Sequence, residues 1–335
     1  MMKNPTIDDV AKKAGVSKST VSQYLNQRYK YMSEKTKLKI EGVIKELNFV
    51  PNNLARSLKQ KRTSMVGVIV ANIIYNISTH IVRGIEDEFQ KSGIQVIICN
   101  ADENPEKERN YIEMLKSRQV DGLLVFPTGK NVDLYNQLID EKYPLVFLDR
   151  IVEGVAVQSI LLDNEAAATM AVQEFIKNGH KKIGIITMPI TSPHITPRIE
   201  RLSGYKKALE RNGLEIREDY IYNVPKEEIQ NSVTSLLALS DPPTALLAAN
   251  DIVLKEVLLA AKHNDITVPK DIAVIGIDDV SFARIHNPTI TTVAQPAYEM
   301  GKTAARILLE SIEKEKDITP ITFRFPPTLK QGESV

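Results

Sequence analysis

The sequence predicts an α/β protein in which a small all-α domain precedes a large core built on parallel sheets. Its 335 residues exceed what one hydrophobic core usually supports, so we expect more than one domain. Of the 43 basic and 42 acidic residues, residues 1–62 hold 14 and 5, which leaves 29 and 37 for the remainder. This asymmetry indicates a nucleic-acid-binding module attached to an acidic body. From Ser64 onward, short apolar runs alternate with amphipathic stretches, which is typical of strand–helix repeats.

The first fifty residues contain the start and stop signals of three short helices. Thr6 can cap the first helix, and Gly15 can end it in a left-handed conformation. Ser17 can cap a second helix, and Ser33 a third. Three short helices with a tight turn between the first two predict a helix-turn-helix domain. The inward-facing residues expected in the second and third helices are Val21, Leu25, Leu38, Ile40, Val43, Ile44 and Leu47.

The outer face of the second helix carries short hydroxyl and amide side chains and little charge. Long charged residues would suit a face that is only solvated, whereas short donors and acceptors suit close approach to base edges in the major groove. We therefore predict that this face reads DNA. It consists of Lys18, Ser19, Ser22, Gln23 and Asn26.

Seven apolar runs in the remainder predict buried parallel strands, because they are rich in β-branched residues and lie between amphipathic stretches. Seven or eight such strands fit two lobes better than one sheet. Ligands of open parallel sheets bind beyond the carboxyl ends of the strands, which places a ligand in the cleft between the lobes. The runs are residues 65–72, 94–100, 122–126, 144–149, 181–187, 244–249 and 271–278.

The N-terminal motifs resemble those of the lactose/galactose repressor family of bacterial transcription factors. The stretch TIDDVAKKAGVSKSTVSQYLN is followed, after the third helix, by FVPNNLARSLKQKRT, and the similarity continues to about residue 330. The resemblance implies a helix-turn-helix domain with a hinge helix, then a two-lobe core like that of periplasmic binding proteins. The implied domains are 1–50 (DNA binding), 51–63 (hinge helix and linker) and 64–335 (effector binding and dimerisation), with lobe 1 at about 64–162 plus 294–324 and lobe 2 at about 163–293 plus the tail.

The resemblance assigns base reading on the second helix to Lys18, Ser19 and Gln23. Many members have arginine where this chain has Gln23. Because glutamine suits adenine and arginine suits guanine, we expect an A·T preference at that operator position. In the family the hinge segment becomes helical only when it is paired on DNA, where a leucine, here Leu58, wedges into the minor groove. The expected DNA-binding residues are Ile7, Ser17, Lys18, Ser19, Thr20, Ser22, Gln23, Asn26, Ser33, Thr36, Asn52, Ala55, Leu58 and Lys59.

In the core, the resemblance implies a small-molecule effector bound between the lobes. Arg201, Asn250 and Asp278 match the arginine, asparagine and aspartate with which the family contacts its effectors. Many members have NPFF in the loop after the first strand, and this chain departs from them with Asn76-Ile77-Ser78-Thr79. The expected effector-binding residues are Asn72, Asn76, Pro127, Asp149, Arg150, His194, Arg198, Arg201, Asn250 and Asp278.

The class of effector is less sharply indicated than its site. Asparagine and aspartate suit sugar hydroxyls, and the arginines add positive charge that favours a sugar acid. The stretches VSKSTVSQYLN, SLKQKRT and CNADENPEKE are also similar to repressors of ketodeoxygluconate (pectin and uronate) catabolism in Bacillus-type bacteria, so 2-keto-3-deoxygluconate is the expected effector. A neutral sugar, a sugar phosphate and a purine remain alternatives.

The resemblance also implies a homodimer on an inverted-repeat operator, with the half-site spacing set by the symmetry of the protein. An effector that closes the cleft should lower operator affinity, although the opposite sign, corepression, also occurs in the family. The coupling is reciprocal, so DNA should weaken effector binding by the same factor.

Other functional classes find little support in the sequence. GKTAAR (residues 301–306) lacks the first glycine of a phosphate loop, and no GxSxG or metal-spaced histidines occur. We therefore expect no enzyme, no metal and no cofactor. A transport-type solute-binding protein would need an export signal and no basic module. Without an apolar membrane-length run or a signal peptide, and with Cys99 as the only cysteine, a cytoplasmic protein is expected.

Overall fold

The computed structural model describes residues 5–50, 62–190, 195–314 and 319–335. The chain separates into two compact units, Met1–Thr63 and Ser64–Val335. In these described ranges, no helix is both long enough and apolar enough to cross a membrane.

The N-terminal unit has the three predicted helices, and their predicted caps are in place. Thr6 and Asp9 form a reciprocal capping box, and Gly15 ends the first helix with a φ of 62°. The Ser17 and Ser33 hydroxyls each accept a hydrogen bond from the backbone N–H three residues later. The elements are α1 (Ile7–Ala14), α2 (Lys18–Leu25), a 3₁₀ turn (Tyr29–Tyr31) and α3 (Glu34–Leu47).

A small apolar core holds these three helices together. Val10, Val21 and Ile40 are fully buried in it, and Phe49 closes it after α3. The prediction that Leu38 faces inward is wrong, because its side chain is 59% exposed. Ile40, Val43, Ile44 and Leu47 share one side of α3, and position 38 lies on the other side at about 100° per residue.

The larger unit contains two six-stranded sheets. The first sheet has the strand order β11-β5-β4-β3-β1-β2 and is parallel throughout; the second has the order β12-β10-β9-β8-β6-β7, with only β12 antiparallel. Every predicted run contains a strand. The strands are β1 (Met65–Val70), β2 (Gln95–Asn100), β3 (Leu123–Val125), β4 (Leu145–Leu148), β5 (Gln158–Leu162), β6 (Ile183–Thr187), β7 (Ile221–Asn223), β8 (Ala245–Ala248), β9 (Ala273–Ile277), β10 (Thr291–Ala294), β11 (Thr322–Phe325) and β12 (Thr328–Lys330).

Helices cover both faces of each sheet, as nearly all-apolar parallel strands require. We call the first sheet with α4, α5, α6 and α12 lobe 1, and the second sheet with α7 to α11 lobe 2. These helices are α4 (Asn76–Gln90), α5 (Pro105–Ser117), α6 (Val132–Asp140), α7 (Asn164–Lys177), α8 (Thr196–Arg211), α9 (Ile229–Leu237), α10 (Asp251–His263), α11 (Ser281–Ile285) and α12 (Ala297–Lys314).

Two glycines allow α4 and α12 to pack backbone to backbone in lobe 1. A Cβ on Gly301 would lie 2.1 Å from the Ile81 carbonyl oxygen, and one on Gly84 would lie 2.2 Å from that of Tyr298. Gly301 begins the GKTAAR stretch that was considered for phosphate binding. In the structure it is a helix-packing residue.

The chain crosses between the lobes three times, after β5, after β10 and between β11 and β12. The carboxyl ends of β1 and β4 in lobe 1 and of β6, β8 and β9 in lobe 2 lead into residues that line a common cleft. The fold thus brings together loops that are up to about 220 residues apart in the chain.

Candidate DNA-binding face and effector cleft

The predicted recognition helix α2 presents its polar residues to solvent, but several of them also make contacts within the helix. Ser17 caps α2, and its hydroxyl lies 2.6 Å from that of Ser19 and 2.8 Å from that of Thr20. Asn26 donates a hydrogen bond to the Ser22 carbonyl at 2.8 Å. These contacts fix the side chains in place, which lowers the entropy that they would lose on binding a groove.

Lys18 and Gln23 differ in how they are held. The Lys18 ammonium forms a 2.5 Å ion pair with Asp8 of α1, and both groups are well exposed. Such an exposed pair is weak, so Lys18 can exchange Asp8 for a phosphate or a base. Gln23 is exposed in the middle of α2. An exposed amide can present its donor and its acceptor together, as reading adenine requires.

The remaining predicted DNA contacts of this unit lie at its edges. Ser33 and Thr36 form the N-terminal cap of α3 and lie 2.8 Å apart through their hydroxyls. Ile7 is half-buried and packs against the core of the unit. In the turn before α3, the Tyr29 ring stacks edge-on with Tyr24. The hinge predictions Asn52, Ala55, Leu58 and Lys59 lie outside the described residues, as does His194.

Charged and amide side chains line the cleft between the lobes together with apolar ones. Its empty volume is about 490 Å³, which includes its open mouth. Six of the ten expected effector-binding residues line it, namely Asp149, Arg150, Arg198, Arg201, Asn250 and Asp278. The lining is completed by Tyr75, Ile77, Thr187, Ile195, Pro197, Ala249, Asp251 and Gln295.

Arg150 is buried at the end of β4, and a carboxylate neutralises it. Its two terminal nitrogens donate to the Glu103 carboxylate at 2.6 and 2.7 Å. Burial alone would lower the pKa of Arg150, but the hydrogen bonds and charge of Glu103 raise it. Conversely, burial alone would raise the pKa of Glu103, and Arg150 lowers it. Most of the positive charge expected from Arg150 is therefore already compensated by the protein.

Arg201 is a buried residue of α8 in the lining of the cleft. Its Nε donates to Asn164 Oδ1 at 2.9 Å, and its Nη1 donates to the Ala249 carbonyl at 2.7 Å. Asp278 lies at the end of β9 in a left-handed conformation (φ 88°) and accepts a 2.5 Å hydrogen bond from Gln295 Nε2. Burial raises the pKa of Asp278, and the Arg201 charge opposes that rise. Asp149 in lobe 1 also has its pKa raised by burial.

Two lining residues retain unsatisfied polar atoms. Among the described residues, Arg150 Nε and Gln295 Oε1 belong to the three buried side-chain atoms without a hydrogen-bond partner. Asp149 Oδ2 lies 3.4 Å from Arg150 Nε, which is an ion-pair contact without hydrogen-bond geometry. A buried donor and a buried acceptor without partners are costly. Both residues belong to the lining of the cleft.

Several contacts connect the lobes across the cleft. The Asn76 backbone N–H of lobe 1 donates to the Asp251 carboxylate of lobe 2 at 2.9 Å. The Ile151 N–H donates to the Thr196 hydroxyl at 3.1 Å. The structure therefore has the two lobes in direct contact beside the cleft.

Three expected effector residues, Asn72, Asn76 and Pro127, are not among the residues that line the cleft. Asn72 Oδ1 accepts the Ile74 N–H and so folds the loop after β1. Asn76 begins α4, and its backbone N–H donates to Asp251 of lobe 2. The Pro127 carbonyl faces Arg150 at 3.5 Å.

Thr187 and Gln295 line the cleft but were not predicted, although Thr187 ends β6 and Gln295 directly follows β10. The strand that ends at Thr187 was predicted, but Thr187 was not included among the expected effector-binding residues. Gln295 follows β10, a four-residue strand that the sequence analysis did not recognise. Asp251 stands beside the selected Asn250, whose side chain caps α10 through a 2.8 Å hydrogen bond from the Val253 N–H. The cap uses one acceptor of an amide that can make four hydrogen bonds.

Comparison with protein families assigns both parts of the chain. Residues 6–52 match the family described as bacterial regulatory proteins, lacI family, and residues 172–335 match the periplasmic binding protein-like domain. A relative from Paenibacillus polymyxa, the probable HTH-type transcriptional regulator EndR, is 48% identical over 98% of both chains. The chain belongs to the lacI family of bacterial regulatory proteins, and is a DNA-binding transcriptional repressor rather than an enzyme.

Further relatives and solved structures agree with this assignment. The HTH-type transcriptional regulator KdgR of Bacillus subtilis is 32% identical over 93% of this chain and 92% of its own. The lac repressor dimer bound to operator and the anti-inducer ONPF has a TM-score of 0.86 and 26% identity, with 99% of both chains covered. A complex of the transcriptional regulator CelR with cellobiose has a TM-score of 0.73 and 28% identity, covering 99% of this chain and 100% of that one.

Proposed function

We propose that the chain binds an inverted-repeat operator as a homodimer and represses genes of carbohydrate catabolism until a sugar-type effector occupies the cleft between the lobes. The observation that carries the effector proposal is the pair of unsatisfied atoms, Arg150 Nε and Gln295 Oε1, in the cleft lining. A hydroxyl group both donates and accepts, so a polyhydroxylated ligand suits a lining that contains an unpaired donor and an unpaired acceptor. The repressor acts on DNA, so the proposal places it in the cytoplasm.

Among polyhydroxylated ligands we favour a sugar acid such as 2-keto-3-deoxygluconate, and the argument rests on Arg198. In the described part of the chain no carboxylate forms an ion pair with Arg198, whereas Arg150 is paired with Glu103. Arg198 donates to the Pro189 carbonyl at 2.7 Å and lies beside Tyr75. Burial lowers the pKa of Arg198, although Tyr75 and the charge of Glu103 oppose that fall, so the guanidinium is poorly solvated. A ligand carboxylate there would form a charge-assisted, bidentate contact.

A neutral saccharide is the second candidate, because a similar solved structure is a regulator in complex with cellobiose. The carboxylates Asp149, Asp251 and Asp278 suit the hydroxyl donors of either kind of sugar. The two candidate ligands are therefore expected to differ in their contact with Arg198 and to make similar contacts in the rest of the cleft.

For DNA, the proposal assigns base contacts to Lys18, Ser19 and Gln23 of α2. Contacts that position the helix on the DNA backbone would come from Ile7, Ser17, Thr20, Ser22, Asn26, Ser33 and Thr36. Residues 51–63 would supply the hinge helix and linker. Support comes from the basic charge of residues 1–62 and the exposure of Gln23. Operator affinity should fall steeply as salt rises, because phosphate contacts release counterions.

The proposal of a homodimer is supported by exposed apolar side chains on the surface of residues 64–335, which a second copy of the chain could cover. Ile285 on α11 is 84% exposed and Ile98 on the edge strand β2 is 46% exposed. The solved lac repressor structure with a TM-score of 0.86 is a dimer on its operator. Sedimentation of the full chain should give the mass of two chains, and Ile285→Lys should favour the single chain.

The effector proposal is tested by a thermal-shift screen of the full chain against 2-keto-3-deoxygluconate, cellobiose, a sugar phosphate and hypoxanthine. A ligand at 100 times its Kd adds about 2.7 kcal/mol to the free energy of unfolding. We expect stabilisation by the sugar acid that Arg198→Gln removes and that the matched surface variant Arg109→Gln retains. If cellobiose alone stabilises the chain, and stabilises Arg198→Gln equally, the proposed effector class would be a neutral sugar and not a sugar acid.

The sign of regulation is tested on DNA that the chain itself selects from a random library. Adding the stabilising ligand should lower the affinity of the chain for this DNA. A rise in affinity would mean corepression and would overturn the release mechanism while leaving the repressor assignment intact.

A further inference from the structure

Two of the three crossovers between the lobes run side by side. Strand β5 ends at Leu162 and leads into lobe 2, and β11 ends at Phe325 before the chain enters lobe 2 again. The two strands are parallel neighbours with Leu162 opposite Phe325. The Asp163 N–H donates to the Phe325 carbonyl at 2.8 Å, so the pairing extends into the crossover itself.

One carboxylate of lobe 2 holds this pair of crossovers. Glu200 on α8 accepts two hydrogen bonds from Arg324 of β11, at 2.6 and 2.9 Å. Arg324 also approaches the Leu162 carbonyl at 3.4 Å. The planar fork of an arginine makes such a two-point contact directional, so it constrains orientation as well as distance.

The Glu200 carboxylate is also connected to the cleft residue Arg201 by hydrogen bonds through the buried Asn164. Asn164, the first residue of α7, is fully buried and donates to Glu200 Oε2 and to the Leu162 carbonyl, both at 3.2 Å. Its remaining group, Oδ1, accepts the Arg201 Nε–H at 2.9 Å. Every polar atom of the Asn164 side chain is thus used between the crossover and the cleft.

We infer that Glu200 and Arg324 are positioning residues that couple the effector cleft to the crossover segments, through Asn164 and the cleft residue Arg201. A ligand that moves Arg201 would also displace Asn164 and Glu200, because they are hydrogen-bonded in sequence. The two paired crossovers, which contact both residues, would then move as well. The lobe-to-lobe geometry then depends on the Glu200–Arg324 pair. The functional part of this inference rests on the proposed binding of an effector in the cleft.

An ordinary surface ion pair would not have these consequences. Most exposed pairs contribute little and connect elements that are already fixed. The Glu200–Arg324 pair instead joins a helix of lobe 2 to a strand of lobe 1, and the Glu200 side chain is only 19% exposed. Arg109–Asp133 provides the matched control, because both of its residues belong to lobe 1.

The test measures the separation of the lobes in the full chain by double electron–electron resonance. Spin labels are placed at Glu113→Cys in lobe 1 and Glu227→Cys in lobe 2, two exposed positions, in a Cys99→Ser background. Labelled chains are mixed with an excess of unlabelled chain, so that distances within one chain dominate. Arg324→Gln, Glu200→Gln and the control Arg109→Gln are compared without ligand, after each has shown a cooperative thermal transition.

We expect Arg324→Gln and Glu200→Gln to increase the population outside the wild-type distance peak by about two- to fivefold, the range for loss of an exposed to half-buried ion pair. Arg324→Lys should give an intermediate result, and Arg109→Gln should match the wild type. If Glu200→Gln does not fold, Arg324→Gln decides alone, since Arg324 lies outside the cleft. Distributions identical to the wild type in Arg324→Gln would overturn the inference.

A second arm adds 2-keto-3-deoxygluconate to the labelled chains. Arg324→Gln should still be stabilised by the ligand in a thermal-shift assay, but its lobe distance should respond less than that of the wild type. If the wild type itself is not stabilised, the proposed sugar-acid effector fails. The comparison without ligand still decides whether the pair sets the lobe geometry.

Discussion

Replacing Gly204 with alanine should disturb the cleft by pushing two helices apart. Gly204 lies on α8 where it meets the start of α7, and a Cβ there would lie 2.5 Å from the Glu165 carbonyl oxygen and 2.7 Å from its Cα. Ordinary contact begins at 3.4 Å, so the helices must separate by about 0.9 Å. Arg201 and Asn164, on the same two helices, are 2.9 Å apart, and the same movement opens their hydrogen bond to about 3.8 Å.

The energetic balance of this substitution is unfavourable. Alanine gains about 1 kcal/mol over glycine in a helix, whereas overpacking costs about 1–3 kcal/mol and the broken buried hydrogen bond adds about 1–3 kcal/mol. Gly204→Ala should therefore lose about 1–5 kcal/mol, and Tm should fall by about 2–4 °C for each kcal/mol. Effector binding should weaken as well, because Arg201 loses its orientation.

Calorimetry and a ligand titration on the full chain check both effects. The control is Gly42→Ala, since Gly42 of α3 has no atom within 4 Å of its ideal Cβ and alanine should stabilise that helix. If Gly204→Ala raised the Tm as Gly42→Ala does, the close approach of α7 and α8 would not constrain the cleft and the reasoning would be refuted.

Three other predictions concern separate parts of the chain. Gly301→Ala should lower the Tm by more than Gly204→Ala, because its Cβ would lie 2.1 Å from the Ile81 carbonyl oxygen and backbone cannot move aside easily. Arg306, together with Lys91, lowers the pKa of Glu88 to about 2. The contribution of the Arg306–Glu88 pair to stability is therefore complete above the unfolded pKa of a glutamate and is lost as pH falls toward 2. The Tm difference between wild type and Arg306→Gln should be constant from pH 6 to 8 and shrink below about pH 4.5. Gln23→Arg should move the preference at one operator position from A·T to G·C, and selection of the same sequences from a random library by both proteins would contradict this.

The sequence predicts those parts of the fold whose physics is local. Short β-branched runs such as residues 65–72 and 271–278 predict buried strands, and the structure has β1 and β9 there. Strands β5 and β10 were missed because QSILL and TTVA are short and start with polar residues. Their side chains are nevertheless buried, since central positions in the sheets and the flanking helices supply the apolar surroundings.

The candidate site shows the same limit at the level of single residues. The rule that ligands meet strand ends brings Asp149 and Asp278 to the cleft, and their binding of an effector stays a prediction. The neutralisation of Arg150 by Glu103 could not be predicted, because 47 residues separate them and no local pattern links the two. The same holds for Glu200 and Arg324, which are 124 residues apart.

The strand orders of the two sheets have a consequence for how a ligand is held. Matched strand by strand, β2-β1-β3-β4-β5 of lobe 1 corresponds to β7-β6-β8-β9-β10 of lobe 2, so the lobes repeat one architecture. Asp149 follows β4 and Asp278 follows its counterpart β9, and both are buried in a left-handed conformation. Asp149 and Asp278 thus occupy equivalent positions in the two repeats. In the proposed mode of effector binding, each lobe would supply one of the two carboxylates, and tight binding would require both lobes to contact the ligand at once.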